Sequence, residues 1–222
     1  MHYLVAGMMR YNYITIEGNI GAGKTSLCNM LARDFNGKLI LEQFADNPFL
    51  PLFYKNPRQY AFPLELFFLA ERFQQLKDIA ATQDLFSSFT VTDYLFAKSH
   101  LFASINLVEE EFKLFKRLSQ IVQASLPEPE LLLYLHSPVP VILSNIAKRG
   151  RPYEKDITGE YLGKIQQVYF DYFKTQTQQR IVILDVSRIN FIGNKSDYDR
   201  IISVLQEEHP LGTTMITLSN LS

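Results

Sequence analysis

The chain has 222 residues, 20% of them charged, and a formal net charge of −1. This length suits one α/β domain with a large core rather than two domains. The near-neutral charge argues against nucleic acid as the main partner, and no apolar run approaches the ~18 residues of a membrane span. The single cysteine, Cys28, excludes an internal disulfide and is expected to be buried. We expect a cytoplasmic protein.

A glycine-rich stretch lies between an apolar segment at 13–16 and a helical segment that begins near Lys24. It reads GNIGAGKTS, which fits the P-loop pattern G-x-x-x-x-G-K-[ST]. Its glycines let the backbone N–H groups point inward, and the following helix directs its positive end at the same spot. Lys24 can then reach the β- and γ-phosphates, and the Thr25 hydroxyl can bind Mg²⁺. The motif predicts a site for a nucleoside triphosphate, formed by Gly18, Asn19, Ile20, Gly21, Ala22, Gly23, Lys24, Thr25 and Ser26.

Helical and strand patterns alternate along the rest of the chain. Strands are predicted over 13–16, 38–41, 89–92, 131–136 and 181–185, and helices over 24–35, 64–81, 94–104, 108–125, 139–148, 160–175 and 196–207. Residues 45–63 contain four prolines and predict an irregular connection with room for a short helix. Five β-α units predict a three-layer α/β fold of the P-loop NTPase type with a five-stranded parallel sheet. We expect one domain over 9–210, with 1–8 and 211–222 as terminal extensions.

Two strings resemble the D-x-x-G and N-K-x-D motifs of GTPase switches, but their positions argue against that class. Asp156–Gly159 follows a basic loop rather than a strand end, and Asn194–Asp197 fits a helix N-cap better than a guanine pocket. A mechanical or transport ATPase is disfavoured because we expect no second module for it to drive. These exclusions leave a small-molecule kinase.

A kinase of that kind must surround the transferring phosphoryl group with positive charge. Arg149 and Arg151 flank Gly150 just after a predicted helix, a spacing that predicts an arginine-bearing lid over one phosphate chain. Glu42 follows the second strand, at the edge where open parallel sheets bind ligands, so its carboxylate can accept a proton from an attacking hydroxyl. A phosphorylated acceptor would be repelled there, and Glu42 therefore favours an uncharged alcohol.

Together these motifs resemble the deoxyribonucleoside kinase family over nearly the whole chain. The resemblance rests on IEGNIGAGKTSL, LEQF, YKNPRQYAFPLELFFLAERF, the strand end at Asp93, and IAKRGRPYEKDITGEYL. It implies ATP and Mg²⁺ as cofactors and a deoxynucleoside as acceptor. It also implies a homodimer that packs helices like 108–125 and 161–173 against a partner copy, with no nucleic acid or membrane partner.

The resemblance implies roles for residues that bind the acceptor. The position that matches Glu42 is the general base for the sugar 5′-hydroxyl, and the positions that match Tyr54 and Glu154 bind the 3′-hydroxyl. Arg72 matches an arginine near the base and the 5′-oxygen, and Phe102 matches a ring that packs on the bound base. Core packing remains the alternative for Tyr54 and Phe102.

The resemblance also implies residues that bind ATP and the metal. Arg149 and Arg151 match lid arginines that hold the ATP phosphates, and Asn190-Phe191 matches a short loop that touches the adenine. Asp93 matches an acid that positions Mg²⁺ together with Thr25.

Three positions depart from the family pattern. Thr92-Asp93-Tyr94 lacks the arginine that usually follows the acid at the third strand end, so one contact to a phosphate or the base must come from elsewhere. Asn145 begins the lid where many relatives have arginine. Glu65 occupies the position of a glutamine that reads the base.

The third departure bears on the choice of base. An ionised carboxylate offers only acceptors, whereas guanine presents two adjacent donors on its Watson–Crick edge. Glu65, flanked by Arg72 and by a Lys98 that could reach the guanine O6, would favour deoxyguanosine, although a protonated Glu65 could serve adenine. The alternative is that Glu65 only pairs with Arg72 along the helix.

The sequence therefore predicts an ATP·Mg²⁺-dependent kinase of a purine deoxynucleoside, deoxyguanosine or deoxyadenosine, in nucleotide salvage. Two alternatives stay open. A thymidylate-type nucleoside monophosphate kinase would need an arginine where Tyr94 stands, and a non-catalytic nucleotide-binding protein would not need Glu42.

Overall fold

The computed structural model describes residues 9–43, 47–81 and 86–218. Within them, six parallel strands form one sheet in the order β2-β3-β1-β4-β5-β6. The strands are β1 (Tyr13–Gly18), β2 (Gly37–Ile40), β3 (Phe89–Thr92), β4 (Leu131–His136), β5 (Arg180–Asp185) and β6 (Gly212–Thr217). β1 and β4 are central and almost entirely buried, which agrees with their nearly continuous apolar sequences.

Eight α-helices connect or flank these strands in the described ranges. They are α1 (Lys24–Phe35), α2 (Leu50–Lys55), α3 (Pro57–Ala81), α4 (Ala97–Asn106), α5 (Glu109–Gln123), α6 (Val139–Arg149), α7 (Gly159–Thr175) and α8 (Lys195–Gln206). None of the helices described has both the length and the apolar composition that a bilayer crossing requires.

The sheet is covered on both faces, which confirms the three-layer prediction. Alternate residues of β4 point to opposite sides. Leu133 packs in a cluster with residues of α1 and α8. Cys28 belongs to the same cluster and is buried, as predicted. Tyr134 packs in a second cluster with Tyr169 and Phe173 of α7.

The prediction of five strands was wrong, because residues 212–217 form a sixth. Strand β6 pairs in parallel with β5 from Arg180 opposite Gly212 to Asp185 opposite Thr217. Its sequence, GTTMIT, alternates between half-buried and exposed residues, as expected for an edge strand. The count of β-α units stopped at the last predicted helix and therefore did not find it. This part of 211–222 belongs to the sheet and is not an extension.

The proline-rich connection is more helical than its composition predicted. α3 begins at Pro57, seven residues before the predicted start at 64, and continues through Pro63 in its second turn. Pro57 is favourable in the first turn because the backbone N–H that proline lacks would have no helical partner at this position. Further along α3, Glu65 and Arg72 lie beside Glu42 and Asp93, which follow β2 and β3. Residues 1–8, as well as 45 and 46 of the connection, lie outside the described residues.

Candidate active site

The P-loop joins β1 to α1, as predicted, and forms one wall of two clefts. The first cleft also contains Glu42, Glu65 and Asp93 and is called the acceptor cleft below. The second lies on the other side of the loop, between Asn145 and Phe191, and is called the nucleotide cleft. Strand ends and helix N-termini meet here, as is usual for ligand sites in open parallel sheets.

The glycines of the P-loop allow contacts that a Cβ would block. Gly23 has φ +92°, and a Cβ at this position would lie 2.8 Å from Cζ of Phe191. The Phe191 ring, predicted to touch the adenine, therefore packs directly on the loop backbone and is 6% exposed. Nζ of Lys24 donates to the carbonyl oxygens of Gly18 and Asn19, both at 2.9 Å. Burial, with the nearby charge of Lys98, lowers the pKa of Lys24 to about 8.

Thr25 and Asp93, the predicted metal residues, are in direct contact. Oγ1 of Thr25 donates to Oδ2 of Asp93 at 2.5 Å. A hydroxyl and a carboxylate are oxygen ligands of the type that Mg²⁺ prefers, so these residues fit the metal. The described residues contain no group of three or more His, Cys, Asp or Glu side chains that could hold a metal ion. Mg²⁺ at this place would therefore complete its shell with water and phosphate oxygens.

Glu42 lies between two cations. Oε1 accepts from Nε and Nη2 of Arg72 at 2.9 and 2.5 Å, and Oε2 accepts from Nζ of Lys98 at 2.6 Å. Burial alone would raise the pKa of Glu42, but Lys98 and Arg72 outweigh it and lower the pKa to about 2. The carboxylate is thus ionised across the neutral range. Lys98, expected near the base, is bound to Glu42 instead.

Glu65 lies on the same helix as Arg72 and is almost fully buried. Its Oε1 accepts a 2.7 Å hydrogen bond from Nδ2 of Asn106, while its Oε2 is buried without a hydrogen-bond partner in the described structure. Burial raises the pKa of Glu65 to about 7. Arg72 donates to Glu42 and to Oγ of Ser99 rather than to Glu65. A buried carboxylate oxygen of this kind suits a ligand that brings its own donor.

Aromatic rings provide the apolar part of the acceptor cleft. Phe68, Phe102 and Tyr161 all line it. The guanidinium of Arg72 lies 4.9 Å from the ring centre of Phe68, and Nζ of Lys98 lies 5.6 Å from that of Phe102. Such surfaces accommodate a flat base between them.

The lid residues are held together by ion pairs. Arg149 donates to Glu154 through Nε at 3.0 Å and through Nη2 at 2.5 Å, and Nη1 of Arg151 lies 3.3 Å from Oε1 of the same residue. Tyr54 stacks on Tyr153 with ring centres 6.3 Å apart and faces the acceptor cleft. The residues predicted for phosphates and for the 3′-hydroxyl are therefore adjacent.

The structure also accounts for the positions that departed from expectation. Asn145 donates to the carbonyl oxygen of Gly21 at 3.1 Å, so it supports the P-loop. Asn194 accepts from the backbone nitrogens of Ser196 and Asp197 as the N-cap of α8, in agreement with the helix-cap interpretation of that string.

Three residues of the site were missed from the sequence. Glu17 is fully buried at the end of β1 and accepts from Leu95 N at 2.7 Å and from the Tyr169 hydroxyl at 2.9 Å. Its signal was a charged residue within an apolar strand, YITIEG. Ser99 and Asn106 gave no signal, because they are ordinary polar residues on a helix.

Known proteins are similar to this chain in sequence. A family model described as "Deoxynucleoside kinase" matches residues 14–209. The chain is 35% identical over 202 residues to the deoxyguanosine kinase of Bacillus subtilis (strain 168). This match covers 88% of this chain and 96% of that protein. It is 26% identical over 205 residues to the deoxyadenosine kinase of Lactobacillus acidophilus, at 88% and 95% coverage.

A solved structure supports the fold. The deoxyadenosine kinase from M. mycoides with bound dATP superposes with a TM-score of 0.75 over 87% of this chain and 98% of that chain, at 20% identity.

Proposed function

The chain belongs to the deoxynucleoside kinase family, and on that basis we propose that it transfers the γ-phosphoryl group of ATP to the 5′-hydroxyl of a purine deoxynucleoside in nucleotide salvage. Deoxyguanosine is the preferred acceptor in this proposal. The same family includes the similar kinases of deoxyguanosine and deoxyadenosine.

The observation that carries the proposal is the position of Glu42. Its carboxylate faces the acceptor cleft, and its backbone nitrogen donates to Oδ1 of Asp93 at 2.7 Å. Asp93 in turn accepts from Thr25 of the P-loop. The residue that would take the proton is therefore joined to the residues that would hold the metal, as an in-line transfer requires.

In the proposed mechanism, Glu42 accepts the proton of the 5′-hydroxyl as that oxygen attacks the γ-phosphorus. Arg72 holds Glu42 in place, and Lys24 stabilises charge on the phosphates. Arg149 and Arg151 transfer from Glu154 to the phosphate chain when the lid meets ATP, and Glu154 then accepts from the 3′-hydroxyl beside Tyr54. Thr25 and Asp93 would hold Mg²⁺, which would offset negative charge on the triphosphate.

The unpartnered oxygen of Glu65 supports guanine as the preferred base. An ionised carboxylate accepts from both N1–H and the N2 amino group of guanine, and adenine has no such pair of donors. Asn106 occupies one lone pair of Oε1 and fixes the plane of the carboxylate. Phe102 and Phe68 provide the surfaces on which the purine lies.

The alternative of a thymidylate-type kinase has less support. Its acceptor carries a phosphate that must meet a cation at the third strand end. Tyr94 stands at that place, is fully buried, and donates its hydroxyl to Oε1 of Gln75 at 2.6 Å. The cations nearest to the acceptor, Arg72 and Lys98, are bound to the Glu42 carboxylate instead.

A homodimer is part of the proposal. Helix α5 exposes Leu114, Leu118 and Ile121, which follow one another at helical spacing and are 50%, 38% and 74% exposed. Its other face packs in the core through Phe115. An apolar stripe of this kind is typical of a surface that a second copy covers.

The test is a panel of the four deoxynucleosides, assayed with ATP and Mg²⁺ and scored for 5′-monophosphate. We expect deoxyguanosine to have the highest kcat/KM and deoxyadenosine the next. Turnover of deoxynucleoside monophosphates alone would favour the thymidylate-type alternative, and ATP binding without any transfer would favour the non-catalytic one.

A further inference from the structure

Lys98 occupies a position where a lysine is normally unfavourable. It is the second residue of α4 and is 6% exposed. The N-terminus of a helix carries partial positive charge, which disfavours a cation, and burial of an ammonium is costly unless it is paired. Its partner is Oε2 of Glu42. Residues that oppose such general preferences are most often found at functional sites.

Glu42 does not need Lys98 for neutralisation. Arg72 already provides one full positive charge through two hydrogen bonds to Oε1, and Ser99 fixes Arg72 in that position. Lys98 adds a second cation to the single carboxylate. The three side chains therefore carry a net positive charge, and all three line the acceptor cleft. Lys98 also acts electrostatically on the buried carboxyl of Glu17, which does not line this cleft. Within the cleft itself, a second cation on a carboxylate that Arg72 already neutralises favours an anionic ligand.

Lys98 and the P-loop lysine act on the same region. Both line the acceptor cleft. Burial is the main cause of the lowered pKa of Lys24, and the charge of Lys98 is the second. Two ammonium groups that repel each other in this way would both be stabilised by an anion between them. The γ-phosphoryl group must pass through this region if it travels from the P-loop to a hydroxyl beside Glu42.

The strand end itself supplies no cation. Tyr94 follows Asp93 directly, but its ring packs in the core with Leu69 and Leu76 and its hydroxyl binds Gln75. Lys98 follows four residues later, at the start of α4, and its ammonium returns to the edge of the sheet.

We propose that Lys98 is a catalytic residue that binds the transferring phosphoryl group, an inference that rests on the function proposed above. Nζ moves from Oε2 of Glu42 to an equatorial oxygen of the γ-phosphoryl group, and Oε2 then accepts the proton of the 5′-hydroxyl. The bond between O5′ and phosphorus forms. The bond between phosphorus and the β–γ bridging oxygen breaks, and its electron pair stays with ADP. Lys98 keeps its proton and stabilises charge only.

The first experiment compares Lys98→Met, Lys98→Arg and the control Lys174→Met by steady-state kinetics. Lys174 is an exposed lysine near the end of α7, paired with Asp171. At saturating ATP and nucleoside, we expect kcat of Lys98→Met to fall about 100-fold, with KM for the nucleoside changed much less. The kcat of Lys98→Arg should be at least tenfold higher than that of Lys98→Met. Lys174→Met should keep the wild-type kcat.

The second experiment separates contact with the phosphoryl group from support of the fold. Affinities for ADP and for the β,γ-imido analogue of ATP are measured by calorimetry with nucleoside present. We expect Lys98→Met to lose roughly tenfold in affinity for the analogue, the scale of one charge-assisted contact, and to bind ADP within twofold of wild type. Equal losses for both nucleotides, or a kcat within threefold of wild type, would overturn the role of Lys98.

These outcomes are distinct from failure of the proposed function. If the wild-type protein phosphorylates no deoxynucleoside, the function itself is wrong. If it does so and Lys98→Met is equally active, only the role of Lys98 is wrong. Lys98→Arg keeps the charge and the ion pair, so it remains informative even if Lys98→Met folds poorly.

Discussion

Asp93 and Glu42 are joined by a 2.7 Å hydrogen bond from the backbone nitrogen of Glu42 to Oδ1 of Asp93. The two residues follow neighbouring strands, β2 and β3, which pair in parallel from Gly37 to Ile40. The second oxygen of Asp93 accepts from Thr25, at the start of α1. The proposed general base and the proposed metal-binding pair are thereby fixed to one sheet edge by two short contacts. Small shifts of reacting groups are costly in rate, so this connection bears directly on catalysis.

Replacement of Glu42 by Gln removes the proposed proton acceptor. We expect kcat to fall by roughly 10²–10⁴ if Glu42 is the general base, as measured by single-turnover formation of the monophosphate. ATP affinity, measured by calorimetry, serves as the control and should change little, because Glu42 does not line the nucleotide cleft. The variant also leaves Arg72 and Lys98 buried without their carboxylate. We therefore expect a lower Tm, with a loss of about 3 kcal/mol in the free energy of unfolding.

A fall of less than about tenfold in kcat would contradict the base role. The effect on stability does not confuse that outcome, since transfer is measured well below the Tm of the variant.

Much of this site was predictable because its residues are close in sequence or follow strand ends. The P-loop is nine consecutive residues, Gly18–Ser26, with its own turn chemistry. Glu42 and Asp93 could be placed on one edge because the carboxyl ends of parallel strands meet there. The partner of Lys98 could not be foreseen, since it depends on how α4 sits relative to β2. The sixth strand was missed because GTTMIT alternates between half-buried and exposed residues and lacks the continuous apolar pattern of the central strands.

Gly23 provides a test of the contact between the P-loop and Phe191. Gly23→Ala places a Cβ 2.8 Å from Cζ of Phe191 at a backbone angle of φ +92°, which alanine rarely adopts. We expect ATP affinity to fall at least tenfold, which corresponds to about 1.4 kcal/mol, measured by calorimetry. Gly163→Ala is the matched control, because Gly163 lies within α7 and a Cβ there meets nothing within 4 Å. That variant should keep ATP affinity and gain about 0.5–1 kcal/mol in stability. Unchanged ATP affinity of Gly23→Ala would exclude a rigid P-loop at this position.

The apolar stripe of α5 predicts where the two copies of the proposed homodimer meet. Ile121 is 74% exposed on this stripe, and Ile121→Glu would bury a charge at the interface. We expect wild-type protein to sediment as twice the 25.7 kDa chain and Ile121→Glu to sediment as a monomer. Met215→Glu is the control, since Met215 is 62% exposed on the edge strand β6 and should leave the dimer intact. Identical sedimentation of Ile121→Glu and wild type as dimers would place the interface elsewhere.

Glu65 predicts that the choice between purines depends on pH. Burial raises the pKa of its carboxyl to about 7 from an ordinary value of 4.5, while Asn106, Arg72 and Lys98 oppose that rise and Glu42 adds to it. Above pH 7 the ionised form accepts from both donors of guanine, and below pH 7 the protonated form offers one donor and one acceptor, which suits adenine. The ratio of kcat/KM for deoxyguanosine to that for deoxyadenosine should therefore rise as pH increases from 6 to 8. Lys24, whose pKa burial lowers to about 8, is proposed to bind the ATP phosphates that both reactions share, so we expect its titration to cancel in the ratio. Glu65→Gln should give a lower ratio that does not change with pH, because an amide does not titrate; a wild-type ratio that is constant over this range would rule out base reading by Glu65.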